Sequence, residues 1–321
     1  MKHWKLIFAG IAFFAAFVLY IKSLVQPPQS PRPSEKPVIA VSFYPLEFVA
    51  QALLDDSFEI LSMTPSGVEP HDFEPSPQDI IRLQKADLFF YNGLGLDAWV
   101  TRLEPTLVSQ GVQLINIGEA LENSGMEILP LSGIDEHREG EAHEHGDEDP
   151  HIWTDPVYMK AIAELMGKAL TVQYRDSANL IATKQRVFAE RLDALHVEFS
   201  SGLKQCSLRE IIVSHDAFAY LASRYNIQVT SIAGFSPQEQ PSAKRLGELA
   251  SLAKELGITT IFFETLVSPK LSETLAAEIG AKTAVLDPVE GLSASDRAQG
   301  LDYILIMEKN LEALATAMNC R

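Results

Sequence analysis

A chain of 321 residues exceeds the usual size of one domain, so two domains sharing a cleft are as much to be expected as one large domain. With 46% hydrophobic and 21% charged residues it has the apolar material for real cores, which excludes disorder as the default state. The formal net charge of −17 excludes a nucleic-acid partner, which requires clusters of Lys and Arg, and suits the approach of cations.

Lys2 and Lys5 precede an apolar run from Leu6 to Ile21, and a polar, proline-rich stretch leads on to Pro37. This pattern predicts an export signal or N-terminal anchor over 1–22 and a linker over 23–36. The run lies at the short edge of what spans a bilayer, so cleavage and retention both stay open. No cysteine lies near its end, so lipid attachment is not expected. The mature protein is expected in the periplasm or on the outer face of the cytoplasmic membrane, with membrane association through this segment if it is retained.

From Pro37 onward, short β-rich runs alternate with longer amphipathic ones. Strands are predicted at Val38 to Ser42, Phe58 to Thr64, Asp87 to Tyr91 and Val112 to Ile117, with helices at Pro45 to Leu54, Pro77 to Lys85 and Leu96 to about Val108. The rhythm repeats with strands at Glu210 to Val213, Gln228 to Ser231, Thr259 to Phe263 and Thr283 to Leu286. Helices are placed near Phe218 to Tyr225, Pro241 to Leu256 and Lys270 to Ile279, and a terminal helix at Leu301 to Met318. Such alternation implies an α/β fold of two similar lobes, each a mostly parallel sheet flanked by helices. Between them, no Gly or Pro interrupts Asp176 to Ser201, and Leu180, Val187, Leu192, Leu195 and Phe199 recur at spacings compatible with one helical face. One long, stiff helix is therefore predicted to join an N-terminal lobe, 37–173, to a C-terminal lobe, 205–321, with the bridge at 174–204.

Two features break the pattern. Residues 132–149 form an acidic stretch with almost no apolar side chains, read as an exposed loop; His137, His143 and His145 alternate there with Glu136, Glu141, Glu144 and Asp147, a composition suited to weak accessory metal binding. Cys206 and Cys320 are the two cysteines; in an exported chain they are either one disulfide or two unrelated thiols.

The eight histidines carry the functional signal. His3 belongs to the N-terminal segment, and His196 sits among charged neighbours in the long helix. His71, His151 and His215 instead occupy junctions, where an α/β fold exposes its functional groups: His71 follows the strand ending near Thr64, His151 the acidic loop, and His215 the segment EIIVS. Asp72, Asp155 and Asp216 lie beside them and are candidates to hold an imidazole N–H. Imidazole nitrogens suit zinc, whereas manganese prefers more oxygen ligands. Such a site requires neutral rings, so affinity is expected to fall below about pH 6.5.

The segments GVEPHDFEPSPQD, DPHIWTDP, SHDAFAYL, FFETLVSPK and VLDPVEGL, in this order, resemble the cluster A-I solute-binding proteins of ABC metal importers, the zinc-uptake branch in particular. The similarity runs from about Pro37 to Met318. It implies two lobes bridged by a rigid helix, a single metal ion in the cleft between them, and delivery of that ion to the permease of an ABC transporter. His71 and His151 from the first lobe and His215 from the second match the family's metal ligands. For the fourth ligand, Glu290 resembles the glutamate of zinc-binding relatives, and Asp287 the aspartate of manganese-binding and some zinc-binding ones. A monomer without enzymatic activity is expected. The alternatives are a manganese-binding member of the same family, a zinc-dependent hydrolase using Glu69, Glu74 or Glu264 as base, and an adhesion module in which the metal is incidental. No HExxH, P-loop or dinucleotide fingerprint occurs, and Gly93 and Gly95 in NGLGLDAW read as a turn.

Overall fold

The computed structural model describes residues 36–131, 148–234 and 236–321. Residues Pro37–Arg321 form one compact unit. The predicted export segment, most of the linker and the histidine-bearing part of the acidic loop, with His137, His143 and His145, lie outside the described residues.

The first sheet contains β1 (Val38–Val41), β2 (Glu59–Ser62), β3 (Leu88–Tyr91) and β4 (Gln113–Asn116), in the order β2-β1-β3-β4. The second contains β5 (Glu210–Val213), β6 (Gln228–Ser231), β7 (Thr260–Phe263) and β8 (Lys282–Val285), in the order β6-β5-β7-β8. Every pairing is parallel. The order is the same in both sheets, so each has a switch point beside its first strand, and the chain leaves the strands' carboxyl ends there in loops free to carry a site.

The connecting helices are α1 (Tyr44–Leu53), α2 (Pro77–Leu83), α3 (Trp99–Ser109) and α4 (Ile117–Asn123) in the first lobe. The second lobe has α7 (Ala219–Tyr225), α8 (Ala243–Leu256), α9 (Lys270–Ile279), α10 (Ala294–Ala298) and α11 (Tyr303–Ala317). Their ends follow local chemistry. Ser76 and Asp79 form a capping box at α2, as Ser293 and Asp296 do at α10. Gly257 and Gly280 end α8 and α9 in the left-handed conformation, at φ 71° in each case.

Between the sheets lie two helices where sequence reasoning singled out one, α5 (Pro156–Gln173) and α6 (Ala178–Gly202), separated by a 3-10 turn at Arg175–Ser177. They pack against each other, and α6 also touches α1 and α11, so it runs along both lobes. Phe188 of α6 meets Phe48 of α1 edge-on at 5.4 Å, and Phe199 stacks on Tyr225 of α7 at 5.1 Å. The buried stripe of α6 is Ile181, Phe188, Leu192, Leu195 and Phe199. Leu180 and Val187, assigned to that face from spacing alone, are 44% and 49% exposed. The sequence carries apolar residues at both neighbouring registers, and the bulkier Phe188 takes the inward one because it buries more surface. The two cysteines are joined: the Cys206–Cys320 disulfide ties the end of the chain to the residues leading into β5.

Candidate metal centre

His71 follows β2 on a loop shaped by its neighbours. Thr64 Oγ1 donates to Ser42 O at 2.8 Å, and the Glu69 carboxylate caps the 3-10 turn Pro70–Asp72 by accepting the His71 backbone N–H at 3.4 Å. Pro70 fixes φ at the start of that turn, and the His71 side chain is only 4% exposed.

His151 and His215 are each oriented by a carboxylate. Asp149 Oδ1 accepts from the His151 backbone N at 2.9 Å and from its Nδ1 at 2.7 Å. Glu264, which follows β7, takes His215 Nδ1 at 2.6 Å and the Ser214 hydroxyl. With Nδ1 committed as donor, each ring presents Nε2 as the lone-pair nitrogen, which fixes the tautomer a metal requires. Asp149 and Glu264 thus hold the two Nδ1 atoms, a role for which Asp72, Asp155 and Asp216 were the candidates by sequence. Asp155 instead caps α5 through Val157 N at 2.8 Å and pairs with Arg224, and the Asp216 backbone N–H donates to Gly234 O. The readable signal was chain position: Asp149 stands two residues before His151, and Glu264 directly follows the Thr260–Phe263 strand.

Glu290 completes the cluster. Its Oε1 lies 3.6 Å from His71 Nε2, 3.4 Å from His151 Nε2 and 3.4 Å from His215 Nε2. His71 and His151 Nε2 are 3.1 Å apart, and His151 and His215 Nε2 are 3.4 Å apart. The ligand atoms of all four residues fall within 4.8 Å of one another. A tetrahedron with bonds of about 2.0–2.1 Å has edges of about 3.3–3.4 Å, so this spacing fits one zinc ion. Asp287 stands outside the four. Its Oδ2 accepts from Thr265 Oγ1 at 2.5 Å and its Oδ1 from Val289 N at 2.7 Å, so it shapes the loop that delivers Glu290.

The electrostatics suit a cation. Burial pulls the His71 ring below its ordinary pKa. Burial also opposes charge on His151 and His215, yet Asp149 raises the first and Glu264, with Glu290, raises the second well above the usual histidine range. Against its own burial, Glu290 is held well below the usual carboxylate range by the three imidazoles. Glu69 is pushed up to about 10 by burial and by the Glu290 carboxylate. Without a cation, three rings and a carboxylate converge with no hydrogen bond made by Glu290 Oε1 among the described residues, an arrangement a shared divalent ion satisfies. His151 and His215 are 0% exposed and Glu290 1%, so the converging atoms are shielded from solvent.

A family model described as ZnuA, zinc-uptake complex component A, periplasmic, matches residues 39–317. The high-affinity zinc uptake system protein ZnuA of Bacillus subtilis (strain 168) is 35% identical over 284 residues, which is 87% of each chain. The zinc-binding lipoprotein AdcA of Streptococcus pneumoniae is 34% identical over 278 residues, covering 86% of this chain and 54% of that one, so the chain spans about half the length of AdcA. The crystal structure of the Zn(II)-bound ZnuA-like domain of that AdcA superposes with a TM-score of 0.74 at 33% identity, over 89% of this chain and 100% of the domain. The laminin-binding protein Lmb of Streptococcus agalactiae, described as having adhesin and metal transporting activity, gives a TM-score of 0.76 at 27% identity over 88% of this chain and 100% of that one. The chain belongs to the ZnuA family of periplasmic zinc-uptake components.

Proposed function

We propose that this protein captures one Zn²⁺ ion outside the cytoplasmic membrane, through His71, His151, His215 and Glu290, and delivers it as cargo to the permease of an ABC-type importer. The observation that carries the reading is the convergence of three Nε2 atoms and one carboxylate oxygen, from both lobes, at spacings of 3.1–3.6 Å. Three imidazoles and one carboxylate favour zinc over manganese, which prefers a more oxygen-rich shell. A carboxylate in the fourth position fills the place that a catalytic zinc keeps for water, which favours a carrier over a hydrolase. The protein acts as a monomer, with His71 and His151 on the N-terminal lobe (37–173), His215 and Glu290 on the C-terminal lobe (205–321), and the bridge at 174–204. No helix among the described residues is long and apolar enough to cross a membrane. Attachment of the exported protein at the membrane would therefore fall to the N-terminal segment.

The test is calorimetric titration of zinc and of manganese into metal-stripped protein from Pro37 onward, wild type against a His71→Ala, His215→Ala double variant. One tight zinc site, with weaker manganese binding, is expected in the wild type and is lost in the variant. Weak zinc binding that is equal in both proteins would overturn the assignment.

A further inference from the structure

Glu290 sits in the middle of a segment tied at both ends to the opposite lobe. At the inner end, Trp153 Nε1 donates to Pro288 O at 2.7 Å, and Trp153 is itself held by Tyr303, whose hydroxyl donates to Trp153 O at 2.7 Å. At the outer end, Ser66 Oγ donates to Leu292 O at 2.5 Å. Arg297, presented by α10, donates through Nε to Ser66 Oγ at 2.9 Å and through its terminal nitrogens to the two Glu47 carboxylate oxygens at 3.4 and 3.3 Å. Ser66 belongs to the loop that carries His71. The loops bearing His71 and Glu290 are thus fastened to each other along one rim of the cleft.

Between the two ties, Val289 has φ 59°. A β-branched residue in the left-handed region is sterically costly and persists only where its surroundings hold it. Val289 is fully buried, and its peptide aims Glu290 at the three imidazoles. Relaxation of Val289 to negative φ would carry that peptide, and Glu290 with it, away from the ion.

We propose that the Ser66–Leu292 and Arg297–Glu47 contacts form a latch that holds Glu290 at the ion against backbone strain at Val289, and that zinc leaves when this rim unfastens. The proposal rests on the reading that zinc is the cargo of the four side chains. All four are buried, so an ion can leave only if loops part. Of the two ties the inner is buried on every side, whereas the Arg297 side chain is 39% exposed, so water and salt compete for the outer one. The outer tie is therefore the one that opens, and the strain at Val289 drives the carboxylate out once it does. Ser66, Arg297 and Glu47 are positioning residues: none of them touches the ion.

The experiment loads the purified protein with one equivalent of zinc, mixes it with excess chromophoric chelator and records the release rate by stopped flow. A Ser66→Ala, Arg297→Ala variant should release zinc on the order of 10-fold faster, through the loss of two hydrogen bonds and one partly exposed ion pair. Added salt should speed release from the wild type and leave Arg297→Ala unchanged. Val289→Gly should release zinc about 3- to 10-fold more slowly than Val289→Ala: both lose the two buried valine methyls, glycine loses Cβ besides, and only glycine accepts positive φ without a Cβ clash. Wild-type release from the latch variant, or equal rates for the two Val289 variants, would overturn the latch while zinc binding stood. A wild-type protein that takes up no tight zinc would overturn the metal reading and the latch with it.

Discussion

Asp97 shows how far a single side chain reaches into the metal centre. Its two carboxylate oxygens accept the backbone N–H groups of Asn92 and Gly93, each at 2.8 Å, and Asn92 Nδ2 in turn donates to Pro150 O at 3.0 Å, next to His151. The turn predicted at Gly93 and Gly95 is real, with both glycines at positive φ, and it requires glycine at position 93 because a Cβ there would run into the Asn116 side chain. Burial pushes Asp97 up to about 6 from an ordinary 3.8. The folded chain therefore holds a proton between about pH 4 and 6 that the unfolded chain has released. The resulting stability is present below pH 4 and is lost as pH rises through 6. In metal-free protein, the stability of the wild type relative to Asp97→Asn should rise by about 2–3 kcal/mol between pH 7 and pH 4, at about 1.4 kcal/mol per pH unit within the window. Denaturant titrations of both proteins across that range check it, and a pH-independent difference would refute it.

At the scale of elements, the strands and most helices were legible because each is bounded by punctuation the chain spells out: Pro77 and Ser76 opening α2, Gly257 and Gly280 closing α8 and α9. The missed helix α5 begins at Pro156 and has eight buried residues, but its near-continuous apolar content gives no clean stripe to read. The terminal helix α11 is fastened by the Cys206–Cys320 disulfide and by short backbone bonds beside it, Leu208 N to Met318 O at 3.1 Å and Arg321 N to Gln205 O at 2.8 Å. The bridge closes a sequence separation of 114 residues. A Cys206→Ser, Cys320→Ser variant should lose about 2–5 kcal/mol of stability, mostly through a freer unfolded chain. Its zinc affinity should stay at the wild-type value, since the disulfide lies outside the metal centre. Chemical denaturation paired with calorimetry tests both halves.

For the whole molecule, an ion held by all four candidate ligands would cross-link the lobes. His71 follows a strand of the first sheet and His151 precedes the 3-10 turn Ile152–Thr154, while His215 and Glu290 follow strands of the second, so an ion bound by all four would hold together surfaces that unfolding separates. The 25-residue α6, about 37 Å long at 1.5 Å per residue, already braces the two lobes along one side and limits their relative motion. Zinc at about 1,000 times its Kd should therefore stabilise the native state by about 4 kcal/mol and raise Tm accordingly, and a chelator should return Tm to the metal-free value. The same zinc added to His71→Ala, His215→Ala should leave Tm nearly unmoved. A zinc-dependent rise of equal size in that variant would place the stabilising ion elsewhere.

Sequence alone determined the two-fold α/β repeat and the long bridging helix and singled out the three candidate histidines, because periodicity, turn residues and position at element junctions are local properties. It also narrowed the fourth ligand to Glu290 or Asp287, three residues apart on one loop. What favours Glu290 lies in the tertiary structure: both oxygens of Asp287 accept hydrogen bonds from Thr265 and Val289, while the Glu290 carboxylate lies beside the three imidazoles. The tertiary structure likewise decided which register of α6 faces the core, which carboxylates orient the rings, and that Cys206 meets Cys320. Each of these depends on which surfaces meet after the chain has folded back on itself, and contacts between residues far apart along the chain leave no local pattern to read.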